Sequence, residues 1–420
     1  MSKMQTPRGM KDITPDESNQ WRQLRDIVEN AMDMMNYKFI TTPIVENVEV
    51  FKKTVGEESD ILSKEMYIFE DRGKSTLALR PEGTASVCRA YIEHNMTNLS
   101  QPVKLAYFGP MFRYDRPQAG RYRQLWQFGA ESIGINNPES DAELMYLQNY
   151  IFNKLEVKDR KLIINSLGGA DTRKKFEKEF KDFIKDKFHD LSDDSKRRYE
   201  INPLRIFDSK EIIDQEIIED APTILDFLNK DEESHFKQVI KLLETMKIKH
   251  TIDPKIVRGL DYYTDTVWEF EPEEESSQST IGAGGRYNNL IKKLSGKDVP
   301  GAGFATGIER TILASEKNYT PTSLDIFLAP LSQEASEYFF NNLNLLSDSS
   351  LSFTQGDYRN SIRSQLRAAN NMNAQHVLIL GKKELEEQSV TIKFLTSEKE
   401  DISVNLNSLF TTLNDLKKNI

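Results

Sequence analysis

The sequence predicts an α+β protein: a strand-rich core flanked by helices, a helical insertion, and a separate C-terminal α/β domain. Three observations carry this. Two strand-like runs, Lys104–Tyr114 and Tyr122–Ile133, flank a short loop, Asp115–Arg121, holding Pro117 and Gly120, the signal of a long hairpin. Residues 171–250 hold 20 Asp/Glu and 17 Lys/Arg at helical spacing with little β-branched density, as a solvated helical insertion would. Beyond a boundary at 318–323, apolar runs Ile326–Ala329, His376–Leu380 and Val390–Phe394 alternate with helical patterns. A chain of 420 residues exceeds one ordinary core. The expected divisions are 1–170, 171–250, 251–320 and 324–420, with the first and third making one domain.

Taken in order, Thr14-Pro15-Asp16-Glu17 combines an N-cap Thr, Pro at the first helical position and a capping-box Glu. Trp21, Leu24, Val28, Ala31 and Met35 then recur at helical spacing, and an extended run Phe39–Thr42 leads into Pro43. Such a helix and strand serve either their own core or a dimer seam. Leu79-Arg80-Pro81-Glu82-Gly83-Thr84 reads as a strand end turning into a helix, with Glu82 and Thr84 at the rim. In the hairpin, a period of two puts Arg123, Leu125, Gln127, Gly129 and Glu131 on one face and Tyr122, Trp126 and Phe128 on the other. Arg113 lies in the first strand, and Arg116 and Arg121 in the loop. That polar face is either a solvated sheet surface or the floor of a site for a small zwitterion and a phosphate.

A helix is expected from Ser140 to Leu155, and strand patterns resume at Tyr262–Phe270 after Arg258-Gly259-Leu260-Asp261. A polar acidic loop, Glu271–Thr280, precedes Ala283-Gly284-Gly285-Arg286-Tyr287, where glycines permit close backbone approach to a ligand. Gly303–Arg310 runs from strand into helix, with Arg310 near the helix start. In the C-terminal domain, a helix Tyr358–Asn371 puts Arg359, Arg363 and Arg367 at i, i+4 and i+8, opposite Ile362, Leu366 and Ala369. This basic ridge is either a solvated face or an RNA contact.

Composition narrows the function. The hydrophobic fraction is 38% and the charged fraction 29%, and no window approaches the roughly 20 apolar residues of a membrane span. The N-terminal MSKMQTPRGMKD has no apolar h-region, so a reducing cytoplasm is the expected location. Cys88 is the single cysteine and the five histidines are scattered, which excludes a disulfide framework and a Cys-rich zinc site. A net charge of −10 confines any polyanion contact to local basic patches. There is no GxxxxGK[ST] and no GxGxxG, so a nucleotide would be held by other means.

Together these segments resemble the histidyl-tRNA synthetase family of class II aminoacyl-tRNA synthetases. The first helix with Pro43 is similar to class II motif 1, Arg113 through Glu131 to motif 2, and GFATGIER to motif 3. RGLDYYT and GAGGRY are similar to the two histidine-specific signatures, and LRPEGT to the amino-group segment. The resemblance implies a class II antiparallel β-sheet catalytic domain flanked by helices, a helical insertion and a C-terminal α/β anticodon-binding domain. It implies that ATP and Mg²⁺ serve adenylation of L-histidine, with transfer to tRNA and a homodimeric assembly. Arg113 and Arg258 are the expected catalytic cations at the α-phosphate. Arg121 and Arg310 would hold the outer phosphates, with adenine between Leu125 and the Arg310 guanidinium. Glu82, Thr84 and Gln127 would surround the ammonium group, and Glu131, Tyr262, Tyr263 and Tyr287 would line the imidazole side. Arg116 and Gln118 are candidates for the acceptor end, and Arg359, Arg363 and Arg367 for the anticodon side. No side chain is singled out as a metal ligand. The rival readings are a non-catalytic regulatory relative that lacks the anticodon domain, and a sister ligase for glycine, proline or threonine.

Overall fold

The hairpin stands near the middle of an eight-stranded sheet in the computed structural model, which describes residues 4–55, 61–273, 280–319, 323–397 and 399–417. Of the acidic loop, residues 274–279 lie outside the described set, as do 320–322 of the boundary segment. The chain divides into two compact units, Met1–Asn318 and Tyr319–Ile420.

In the first unit the strands run, in spatial order, Lys38–Phe39, Val103–Phe112, Gln124–Ile133, Gly301–Gly307, Gly282–Arg286, Thr264–Pro272, Arg160–Ser166 and Thr251–Ile252. All neighbours are antiparallel except the two short outer strands, which pair parallel. This is the expected α+β architecture. Alternation sorts the faces. Trp126, Phe128, Phe304, Trp268 and Phe270 turn to the back, where Trp126 meets Trp21 of helix Pro15–Met34 at 5.8 Å and Phe270 meets Phe152 of helix Pro138–Lys154 at 5.1 Å. Gln148 of that helix accepts the Trp268 indole N–H and donates to Thr306, so the back face is closed by packing and by satisfied polar atoms.

The hairpin strands end sooner than their side-chain pattern suggests. The ladder stops at the pair Phe112–Gln124, so Arg113 lies just past the first strand and the loop spans 113–123. Tyr122 therefore escapes the alternation and lines the cavity on the front, whereas Arg123 covers the Tyr114 ring at 3.7 Å. The first helix does start with Pro15 at its first position, yet no capping box forms. Thr14 makes no side-chain cap, although Glu17 reaches back to the Thr14 backbone while pairing with Lys11 at 2.9 Å.

Residues 170–248 fold as helices Ala170–Ile184, Asp193–Ile201, Ile212–Ile217 and Lys230–Thr245, joined by short turns. Phe176, Phe180 and Phe207 stack inside, and Asp214 gathers the hydroxyls of Ser192, Ser195 and Ser209 at 2.5–2.6 Å. Arg286, at the end of a central strand, is fully buried against Asp141 with 2.6 Å between Nη2 and Oδ1. It also donates to the carbonyls of Ile135 and Asn137, and His235 of the insertion reaches the same Asp141 at 2.7 Å.

The second unit has a five-stranded sheet in the order Phe353–Gln355, Leu324–Pro330, Ala374–Leu380, Ser389–Phe394, Ile402–Asn405. The first three strands are parallel and the last two antiparallel to their neighbours. Helix Ile362–Asn371 covers it with Ile362, Leu366 and Ala369 inward.

Removing one partner of a buried pair leaves an uncompensated charge. Arg286→Met is expected to destabilise the first unit by about 3–5 kcal/mol, read as a lower midpoint in urea unfolding followed by tryptophan fluorescence.

Candidate active site

The front of the sheet carries a cavity of about 270 Å³. Its floor is the hairpin, through Leu125 and Gln127, continued by Ala305 and Gly307 of the neighbouring strand and by Gly282 and Ala283. Glu82 and Thr84 line it beside Arg113, Leu260, Tyr262 and Tyr263 form a wall with Arg258 against the Tyr263 ring, and Arg121 and Arg310 complete the lining. Five separate stretches of sequence thus meet in one site.

Glu82 caps the helix Thr84–Glu93: its two oxygens accept the N–H groups of Thr84 and Ala85 at 2.7 and 2.8 Å. Glu82 and Thr84 are only 3% and 5% exposed, so they sit on the buried side and not at a rim. Burial raises the Glu82 carboxyl, against the two N–H groups and Arg113. Gln127 Oε1 is buried with no hydrogen-bond partner among the described residues. An unpaired acceptor of this kind calls for a donor, and an ammonium group supplies one.

Glu131 and Tyr287 stand one layer deeper. Glu131 is fully buried, and its two oxygens accept hydrogen bonds from Thr84 Oγ1 at 2.7 Å and from the Tyr287 hydroxyl at 2.6 Å. Burial pushes this carboxyl up to about 8, opposed by the two hydroxyl donors. Gly303 lies directly across the ladder from Glu131, and any Cβ there would collide with its carboxylate. The Gly284–Gly285 pair does similar work. A Cβ on Gly285 would strike the Tyr263 ring at 2.6 Å, and one on Gly284 would strike Trp268. These glycines make room for protein side chains, not for close backbone approach by a ligand.

Among the arginines, Arg113 donates Nε to Pro81 O at 2.8 Å, next to Glu82, and lines the cavity. Arg121 pairs with Asp115 at 2.6 Å, and Arg310 donates to Thr280 O at 2.7 Å. Burial lowers Arg310, and the like charges of Arg121 and Arg113 lower it further. Burial would lower Arg258 too, but the Glu269 carboxylate bonded to its Nη1 more than reverses this and leaves it raised. Four arginines lining one cavity can receive a polyanion, with Asp115 and Glu269 holding two of them in place.

A family model described as histidyl-tRNA synthetase matches residues 9–311. The chain belongs to the histidyl-tRNA synthetase family. A histidine–tRNA ligase of Staphylococcus haemolyticus is 39% identical over 411 residues, 96% of this chain and 97% of its own. One from Protochlamydia amoebophila is 42% identical over 410 residues, 95% of this chain and 96% of its own. The crystal structure of apo Staphylococcus aureus histidyl-tRNA synthetase aligns with a TM-score of 0.82 at 35% identity, covering 98% of this chain and 100% of that one. Residues 325–416 match a model described as an anticodon binding domain.

Within this histidyl-tRNA synthetase fold, Arg116 and Gln118 project from the hairpin loop as exposed side chains. The arginine ridge of the second unit is shorter than its spacing suggests. Ser361 caps the helix by accepting the Ser364 N–H, so Arg359 precedes it and pairs with Asp357 at 2.7 Å. Arg363 and Arg367 remain exposed on the helix. Sequence reasoning missed Glu309, which lines the cavity and accepts the Trp126 N–H with both oxygens at 3.0 and 3.1 Å. Burial raises it to about 7. It missed Glu269 as well, although an acid between Trp268 and Phe270 in a buried strand was a usable signal.

A carboxyl near 8 in the folded chain, against an ordinary 4.5, holds a proton that the unfolded chain has already lost between those values. Folding stability due to Glu131 therefore falls as pH rises from about 4.5 to about 8. Glu131→Gln removes this loss, so the unfolding midpoint of the variant should gain on wild type across that range. A difference that is constant with pH contradicts the assignment.

Proposed function

We propose that the cavity activates L-histidine with ATP and then delivers it to the 3′ end of tRNA, making this chain a histidine–tRNA ligase. The observation that carries the reading is that one cavity is lined by four arginines together with the acceptors Glu82 and Gln127 and the tyrosines Tyr262 and Tyr263. In the first step a histidine carboxylate oxygen attacks the α-phosphorus of ATP, the P–O bond to the β-phosphate breaks, and pyrophosphate leaves. Negative charge accumulates between two anions, so positioned cations matter more than a base. Arg113 bridges the carboxylate and the α-phosphate through its planar fork, and Arg258 faces the α-phosphate from the opposite wall. Arg121 and Arg310 hold the outer phosphates, with adenine between Leu125 and the Arg310 guanidinium.

Gln127 Oε1 and Glu82 accept from the α-ammonium group, while Thr84 acts mainly by fixing Glu131. Glu131, Tyr262, Tyr263 and Tyr287 form the imidazole side. The Tyr287–Glu131 and Thr84–Glu131 bonds hold this side in one polar arrangement, and discrimination against other rings rests on that fixed arrangement. In the second step a ribose hydroxyl of the terminal tRNA nucleotide attacks the activated carbonyl and AMP leaves.

Mg²⁺ carried on the ATP phosphates would neutralise their remaining charge. Among the described residues no group of three or more His, Cys, Asp or Glu could hold a metal ion. The ion would rely on phosphate oxygens and water, with at most a carboxylate such as Glu269. Arg116 and Gln118 face the acceptor end, and Arg363 and Arg367, more than Arg359, face the anticodon. A homodimer fits the apolar side chains left open on the edge strand Lys38–Phe39 and on a three-stranded sheet of Val45–Asn47, Thr76–Leu79 and Ile68–Glu70: Phe39, Val45, Ile68 and Phe69 are each 40–46% exposed. No described helix is long and apolar enough to cross a membrane, and a cytoplasmic location fits a buried free thiol at Cys88.

Of the rivals, the regulatory relative is disfavoured by the presence of Arg113, Arg258 and Arg310 together with an anticodon-type domain. The sister ligases are disfavoured by Arg258–Tyr263. ATP–pyrophosphate exchange decides among them: it should depend on histidine. No exchange with any amino acid supports the regulatory reading, and exchange with another amino acid supports a sister enzyme. Arg258→His should lower the exchange rate by roughly 100-fold or more while calorimetry shows histidine binding nearly unchanged. An equal loss of histidine affinity would sink the role given to Arg258.

A further inference from the structure

The segment that carries Arg258, Tyr262 and Tyr263 is not held by the central sheet alone. Where Thr264–Pro272 begins, its ladder is irregular: the register with the neighbouring strand shifts between Gly285 and Arg286, and Asp265 adopts a positive φ of 48°. The Tyr263 carbonyl precedes that ladder and finds its donor in the insertion, where Arg173 Nη2 stands 2.7 Å away. Arg173 is in the first turn of helix Ala170–Ile184. That turn is itself anchored by Glu232, which accepts the Gly169 N–H at 2.7 Å and the Thr172 hydroxyl at 2.6 Å. Glu232 belongs to the last helix of the insertion, Lys230–Thr245. A second tether follows two residues back, Asn202 Nδ2 to Asp261 Oδ1 at 2.9 Å.

We infer that Arg173 is a positioning residue for histidine recognition, holding the Tyr263 backbone so that both tyrosine rings meet the cavity. This rests on the ligase reading above. A charge-assisted bond to a carbonyl is stronger than a neutral one, and its planar fork fixes direction as well as distance. The connection runs from both ends of the insertion to the tyrosine wall through bonded atoms: Glu232, the helix start, Arg173, the Tyr263 carbonyl. The insertion is thereby part of the amino-acid site and not an appendage to it. Since Arg173 acts through a backbone carbonyl, its loss should displace Tyr263 without removing any group that touches ATP.

The test is histidine-dependent ATP–pyrophosphate exchange with the full chain, measured for wild type, Arg173→Met and Arg173→Lys, with thermal unfolding recorded for each. Displacements of about an ångström cost up to roughly 100-fold in such sites. Arg173→Met should raise KM for histidine roughly 10- to 100-fold while KM for ATP stays within about twofold, and Arg173→Lys should recover part of the loss. A folded Arg173→Met with KM for histidine within about twofold of wild type overturns the inference. So does a variant whose melting temperature falls while both KM values rise equally, the behaviour of a purely structural bond. If Arg173→Met does not fold, Arg173→Lys and Asn202→Ala decide by the same split. Wild-type exchange that does not depend on histidine would overturn the ligase reading, and this inference with it.

Discussion

The site is organised around one buried carboxylate. Glu131 has no exposed surface, yet it sits in mid-strand with both oxygens taken by hydroxyls from two distant segments, Thr84 and Tyr287. Burying an acid is costly unless every acceptor is paired or the group takes up a proton. The fold meets that cost in several ways at once. Gly303 leaves the space, the Thr84 helix turns its first hydroxyl inward, and Arg286 with Asp141 fixes the strand end that delivers Tyr287. Each of these would be an unremarkable core feature alone. Their convergence on one carboxyl group fixes the polar layer beneath the cavity.

The arginines of the cavity have the reverse problem. Burial and the nearby charges of Arg121 and Arg113 depress Arg310, while Arg258 is stabilised by Glu269. An anion with several charges would relieve that repulsion. The motif 3 helix contributes a second device. Glu309 takes the Trp126 N–H just beyond the last ladder pair, Gly307–Gln127, and so continues the hairpin's hydrogen bonding past the neighbouring strand. Leu125 and Gln127, on either side of Trp126, are held in line by it.

Much of this was legible in the sequence. Alternation gave the two faces of the hairpin because the strands are regular from Gln124 to Ile133. Pro15 marked the first helix, and GFATGIER marked a strand passing into a helix. The misreadings share a cause: local pattern could not see tertiary competitors. Tyr122 and Arg123 were read as strand because nothing nearby ends the run, but the ladder stops at Gln124. The capping box at Thr14 fails on the hydroxyl side, since the Thr14 side chain makes no cap although Glu17 reaches its backbone. Arg359 fits a helical ridge by spacing, yet Ser361 is the better cap and Asp357 a close partner. Glu309 was invisible for a different reason, since its partner Trp126 lies 183 residues away.

The central claim is that the buried Glu131 carboxyl group, bonded to Thr84 and Tyr287 beneath the cavity, sets the side of the site proposed to take the histidine ring. Direct calorimetry of L-histidine binding without ATP tests it, comparing wild type with Glu131→Gln, a change that keeps the side chain's size. The account predicts measurable binding by wild type and at least a roughly 100-fold weaker affinity for the variant, because an amide there must leave one buried partner unpaired. A folded Glu131→Gln chain that binds histidine as tightly as wild type would contradict it.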